Sequence, residues 1–326
     1  MNVHPLGFKL VEVEVEGNSQ GFKTLFPSVP ICDRMRQCLD LWKRITDNKL
    51  ILNWIQFGVP YEFDACCPTP TLGLEYQLSE VMNVAREEEL TRFSKIGIVK
   101  NLPLEDISTA TFCGIFVVEQ KDKLRPIIDQ RHPNSFTTKI HFKMDSLRDV
   151  RDLIRQGEFM FKIDFKDAYL HIKFRRPHWK YSAFWWKGIA KCFIALMFGH
   201  VHGPRWWTKL MKPIVGYLRS LGIRCVIYLD DLLVFCGNNF SVACEISKFI
   251  CSFLLALGIT LNTEKCSHAR PTPHLFRLCC RLRKYDFFRG FRQAQRNPED
   301  LPTLDLPEVC FRPGFSPHTR KNFLHV

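Results

Sequence analysis

Nothing in the 326-residue sequence is long and apolar enough to cross a bilayer. The longest apolar run, FICSFLLALGI at Phe249–Ile259, is about half of the ~20 residues that a spanning helix needs. The N-terminus, MNVHPLGFKLVEVEVEGNSQ, has no basic stretch leading into an apolar one. No secretory signal is therefore read, and the expected setting is nuclear or cytoplasmic, with no membrane partner. The 14 cysteines contain no C-x-x-C pair, and the doublets Cys66-Cys67 and Cys279-Cys280 lack zinc spacing. Reduced thiols used as small hydrophobes are the simpler reading. Internal repeats and low-complexity tracts are also missing. Acidic residues are in short supply, 33 against 46 Lys and Arg, which leaves a net charge of +13. That excess points to a polyanionic partner. With 46% hydrophobic residues the chain has material for a core, so a wholly disordered protein is excluded.

Periodicity supplies the elements. Met35, Leu39, Trp42 and Ile45 recur at helical spacing, ahead of an apolar patch at 50–59. Leu78, Val81, Met82, Ala85, Phe93 and Ile96 predict a helix over 76–97, closed by Gly97. Phe112–Glu119 and Leu124–Asp129 read as strands around a charged turn, and Phe159–Phe165 as another strand. A helix is expected over 203–222, with Pro213 kinking or breaking it. Cys225–Tyr228 and Leu232–Phe235 form a predicted hairpin. A helical stripe from Val242 to Leu257 ends at Gly258, and Ile259–Asn262 reads as a short strand. Lys9–Glu16 alternates like an exposed strand. This order fits an α+β fold with a mixed sheet and helices on one face. Past about residue 281, prolines at 298, 302, 307, 313 and 317 break every pattern, which suggests a basic, poorly structured tail.

The hairpin carries Asp230 and Asp231 at its tip. Two adjacent carboxylates repel, so each must be solvated or paired. A solvated turn is the plain explanation. A divalent cation is the other, because Mg²⁺ takes hard oxygen ligands. Asp164, near the end of an apolar strand, offers a third carboxylate, and two ions held by such a set perform in-line phosphoryl transfer.

Several ordered segments resemble a reverse transcriptase, most closely that of DIRS-like tyrosine-recombinase retrotransposons. They are Phe116–Val118, Leu124–Asp129, Arg131–Asn134, Phe142–Met144, Asp164–Tyr169, Phe198-Gly199, Pro204-Arg205, Thr208-Lys209, Tyr228–Asp231, Leu257-Gly258 and Glu264-Lys265. The resemblance implies the fingers and palm of a right-hand polymerase, with a ferredoxin-like palm sheet. The thumb is expected to be absent or incomplete, and no ribonuclease H domain is expected. The implied division is an N-terminal extension over 1–75, then fingers 76–145, palm 146–171, fingers 172–202, palm 203–278 and a tail 279–326. The implied activity is RNA-directed DNA polymerisation, with a primed RNA or DNA template and dNTPs as partners and two Mg²⁺ or Mn²⁺ ions as cofactors.

By the same resemblance, Asp164, Asp230, Asp231 and the carbonyl of Phe165 hold the metals. Arg125 and Lys121 meet the triphosphate, as do the backbone amides of Asp167 and Ala168. Tyr169 is the steric gate against a ribose 2′-hydroxyl, Phe198 and Gly199 floor the nucleotide pocket, and Lys265 protonates the departing pyrophosphate. Each has a plainer alternative. Lys121 and Lys265 read equally as surface charges, and Arg125 reads more readily as one when the motif is set aside. Asp167 reads as a helix cap, and Tyr169 and Phe198 as core. Trp206 and Trp207 could stack on bases but sit at core spacing. Two segments depart from the family: Leu196–Pro204 reads LMFGHVHGP where relatives read LPFGLSSAP, and Phe276–Leu278 replaces Phe-Leu-Gly. The paired His200 and His202 have no third partner in sequence to make a metal site. These departures support a second reading, a catalytically inactive, truncated remnant that only binds nucleic acid.

Overall fold

The computed structural model describes residues 26–73, 75–120, 123–155, 157–262 and 280–281. Lys9–Glu16, Lys121, Lys265, Phe276–Leu278 and the tail from 282 onward lie outside these residues. In chain order the elements are α1 (Ile31–Gln37), α2 (Leu39–Ile45), α3 (Lys49–Phe57), α4 (Glu80–Lys95), β1 (Val99–Asn101), β2 (Ile115–Gln120), β3 (Lys123–Ile128), α5 (Arg131–Asn134), α6 (Leu147–Leu153), β4 (Phe159–Asp164), β5 (Ala183–Trp186), β6 (Ile189–Phe193), α7 (Gly203–Ser220), β7 (Arg224–Tyr228), β8 (Asp231–Phe235), α8 (Phe240–Ala256) and β9 (Cys280–Arg281). None of the helices among these residues is long and apolar enough to cross a membrane.

The strands form an antiparallel sheet in the order β7-β8-β4-β9, a three-stranded sheet β1-β6-β5, and the hairpin β2-β3. Alternation along the four-stranded sheet decides its faces. Phe161, Ile163, Cys225, Ile227, Leu232 and Val234 point into the largest core. There they meet Trp206, Leu210 and Ile214 of α7 and Ile250 and Phe253 of α8, the two long helices that the pattern predicts for one face. Trp42 and Trp54 of α2 and α3 complete the same core. On the opposite face, Met160, Val226, Leu233 and Phe235 pack under Val150 of α6 and Ile154 just beyond it. A further core joins Leu90 and Phe93 of α4 to β1, β5 and β6.

Several boundaries differ from the periodic reading. The pattern around 31–45 is two helices, broken at Cys38. The long helix begins at Glu80, because the Ser79 side chain caps it by accepting from the Met82 amide. The β2 strand starts at Ile115. Phe112 and Cys113 leave its ladder to pair with Ala183, whose carbonyl accepts from the Cys113 amide at 2.7 Å. Helix α7 runs through Pro213 without a break, held by a continuous buried stripe that includes Leu210, Met211 and Ile214. Ile259–Asn262 is not a strand. It makes an isolated bridge, Leu261 to Phe165, because it lies beside β4 only where that strand ends. The β5–β6 hairpin is legible only in its turn, Lys187-Gly188, where both residues have positive φ as a type I′ turn requires.

Candidate active site

The carboxylates meet because of strand register. Asp164, the last residue of β4, lies directly across from Asp231, the first of β8. Both side chains leave the sheet on the face away from α7 and α8, and both residues are buried, 3% and 8% exposed. The backbone around them is fixed on both sides. The Phe165 amide donates to the Asp230 carbonyl at 2.8 Å, while the Asp164 carbonyl accepts from the Asn262 amide at 2.9 Å.

Asp230 sits exposed on the two-residue turn between β7 and β8. Leu229 beside it has φ +50°, and no other residue of the turn is left-handed, which is the type II′ pattern that normally takes glycine. A left-handed leucine costs about 1–2 kcal/mol, so something must hold it. The Trp207 indole N–H, rising from α7, donates to the Leu229 carbonyl at 2.7 Å. Trp206 and Trp207 are both fully buried, so the core reading of this pair stands and base stacking does not.

Burial pushes the Asp231 carboxyl up to about 7, and Asp230 and Asp164 push in the same direction. The opposing influence is Lys162, whose Nζ lies 3.0 Å from Asp231 Oδ1 with both side chains buried. Lys162 is two residues before Asp164 on β4 and so shares its face. Among the described residues no three His, Cys, Asp or Glu side chains are already arranged as a metal-ligand set. The donors still suit a hard cation. Two buried carboxylates face each other across adjacent strands, a third lies at the turn, and like charges at that spacing need a compensating positive charge.

Just beyond β4, Asp167 takes φ +51° ahead of the tight turn Ala168–His171. Its carboxylate does not cap that turn. It pairs instead with Arg92 of α4, at 3.0 and 3.3 Å. Tyr169 lies 5.2 Å from the Phe198 ring, and burial together with the nearby Asp230 holds its hydroxyl well above the usual range. Phe198 is 56% exposed, which overturns its reading as core. Gly199 has φ +102°, and a Cβ there would stand 3.0 Å from the Ile128 carbonyl oxygen of β3. Asn134 clamps this loop, donating to the Gly199 carbonyl at 2.7 Å and accepting from the Val201 amide at 3.0 Å. Arg125 is exposed on β3, opposite Val118.

His200 and His202 are buried structural groups. His202 lies between Glu62, 3.2 Å from Nδ1, and the Thr138 carbonyl, 3.1 Å from Nε2. Arg205 joins Glu62 at 2.6 Å. The sequence reading missed Lys162, Arg92 and the Trp207 tether. Only Lys162 left a signal, its two-residue spacing from Asp164.

The family model described as reverse transcriptase (RNA-dependent DNA polymerase) matches residues 117–295. The retrovirus-related Pol polyprotein from transposon 297 of Drosophila melanogaster is 19% identical over 206 residues, 61% of this chain. The chain spans only 18% of that relative's length. Among solved structures, the native prototype foamy virus protease-reverse transcriptase superposes with a TM-score of 0.51 at 16% identity, covering 76% of this chain and 34% of that one. The foamy viral protease-reverse transcriptase in complex with RNA/DNA hybrid gives 0.54 at 18% identity, covering 78% and 35%. Its dRH form in complex with double-stranded DNA gives 0.54 at 18%, covering 76% and 45%.

Proposed function

Because the chain belongs to the reverse transcriptase family, whose match spans more than half of it, we propose that it is the polymerase core of a retroelement that copies RNA into DNA. The observation that carries this reading is the Asp164–Asp231 register beside the Asp230 turn. In it, Asp164, Asp230, Asp231 and the Phe165 carbonyl are the ligands for Mg²⁺ or Mn²⁺. When bound, two such ions activate the primer 3′-hydroxyl and stabilise the charge that develops on the α-phosphate and the leaving pyrophosphate. The rest falls to the chain's own groups. Arg125 offers a planar fork to phosphate oxygens. The turn at Asp167-Ala168 presents backbone amides to the triphosphate. Tyr169, braced by Phe198, stands where a ribose 2′-hydroxyl would enter. Gly199, close against β3, leaves the base and sugar room above the loop. Lys121 and Lys265 keep the roles that the resemblance implies.

The division proposed is fingers over 76–145 and 172–202, and palm over 146–171 and 203–278. The sheet β7-β8-β4-β9 serves as the palm, with a DIRS-like element as the source. A primed RNA template and dNTPs are the proposed substrates, in keeping with the +13 charge. The test is dNTP incorporation on a primed RNA template by wild type and by the double variant Asp230→Ala/Asp231→Ala. Wild-type synthesis that the variant lacks is expected. Equal signals reject the proposal, and salt-sensitive binding without synthesis by either protein favours the non-catalytic remnant.

A further inference from the structure

Lys162 is a buried cation on the face of the sheet that carries Asp164 and Asp231. Its neighbours on β4, Phe161 and Ile163, point into the core at 1% and 0% exposure, so alternation sends Lys162 to the carboxylate face. It is itself only 6% exposed, an unusual position for a lysine without a carboxylate partner. Its register partner on β8 is Leu233, two residues from Asp231, and a four-carbon stem spans that diagonal easily. The ammonium arrives 3.0 Å from Asp231 Oδ1.

We infer that Lys162 is a built-in counter-ion for the carboxylate site, and that a divalent cation binds there by displacing its ammonium from Asp231. This rests on the metal-ligand reading of Asp164, Asp230 and Asp231 given above. The charges decide it. Three carboxylates carry −3 at most. Two divalent ions already exceed that, so an ammonium held against the same oxygen would face net repulsion. Without a metal, the positive charge beside the buried pair Asp164/Asp231 is the Lys162 ammonium. A lysine suits an exchangeable role better than an arginine would. It is a point charge on a flexible stem, with no planar fork to lock it onto the carboxylate.

The experiment measures Mn²⁺ binding to the full chain by electron paramagnetic resonance, with thermal unfolding in a chelator and in excess Mn²⁺. Lys162→Met should unfold at a lower temperature than wild type in chelator, yet bind Mn²⁺ about tenfold more tightly, since no charge competes. Lys162→Arg should bind Mn²⁺ no more tightly than wild type. Equal or weaker Mn²⁺ binding by Lys162→Met overturns the inference. Should that variant fail to fold, the wild type serves: the ¹⁵N-labelled Nζ resonance of Lys162 is expected to shift and lose exchange protection as Mg²⁺ is added. An unchanged resonance at saturating Mg²⁺ overturns the inference. Asp231→Asn separates the two levels. If it binds Mn²⁺ as wild type does, the metal-ligand assignment itself fails, whatever Lys162 does.

Discussion

Replacing Trp207 with phenylalanine removes one hydrogen-bond donor and one fused ring from beneath the Leu229-Asp230 turn. The indole is fully buried, lies against Phe165 with ring centroids 5.6 Å apart and His171 at 6.0 Å, and donates to the Leu229 carbonyl at 2.7 Å. Leu229 is only partly buried, so water replaces some of the lost bond, and that loss is about 1 kcal/mol. The missing ring leaves a cavity costing roughly 1–2 kcal/mol, a fraction of the ~3–5 kcal/mol of a full Trp→Ala truncation. Together Trp207→Phe is expected to lower the unfolding free energy by about 2–3 kcal/mol, read from the urea midpoint at constant slope. Its effect on primer extension should exceed what stability alone gives. A turn freed to relax from φ +50° moves Asp230 and Asp231 relative to Asp164, and small misplacements of reacting groups cost on the order of tenfold to a hundredfold in rate. If the variant unfolds at the wild-type midpoint and extends primers at the wild-type rate, the tether holds nothing and the reasoning is refuted.

Two further expectations come from buried groups around the site. His171 accepts from the Thr260 amide at Nε2 and faces the Ala168 carbonyl at Nδ1, and burial lowers its pKa to about 4. Its folded pKa is below the unfolded value of about 6.5, so the unfolded chain takes the proton first. The stability it supports is therefore complete above about pH 6.5 and is lost as pH falls toward 4, on the order of 3 kcal/mol in all. Unfolding free energies at pH 7 and pH 4 should differ more in wild type than in His171→Gln, and equal differences would count against this. Gly258 has φ +81°, and a Cβ there would meet the Arg34 carbonyl carbon at 2.6 Å. Gly258→Ala is thus expected to cost at least about 2 kcal/mol, and an unchanged melting temperature would show that α1 yields without penalty.

The sequence carried the local parts of this structure better than the relations between them. The β7–β8 hairpin was legible because two apolar runs flank Leu229-Asp230-Asp231, although Asp231 proves to be the buried first residue of β8 and not part of the tip. Helix α8 was legible because its stripe ends at Gly258. The pairing of Asp164 with Asp231 joins strands 67 positions apart, and no local pattern records register of that kind. Phe198 read as a core candidate from its apolarity alone, whereas Gly199 and the Asn134 clamp hold its loop so that the ring faces outward. The histidines of the departing segment resolve similarly. His202 sits between Glu62 and Thr138, neighbours 140 and 64 positions away that only the fold brings near. Lys162 was visible as a residue but not as a participant, since a lysine within an apolar strand is read as an exception until its partner is seen.

The family match begins at residue 117, yet the scaffolding of the carboxylates starts much earlier. The Arg34 guanidinium donates to Thr260 Oγ1 at 2.9 Å, and the Trp42 indole donates to the Leu257 carbonyl at 3.0 Å. The segment thus gripped, 257–262, is the one that runs alongside Asp164 and Lys166. A shortened protein cut at the start of the recognisable homology would keep all three aspartates and lose the first two helices that anchor their outer flank. For preparing the part of the chain that holds the three aspartates, the useful left-hand limit is therefore set by α1, upstream of every signature motif.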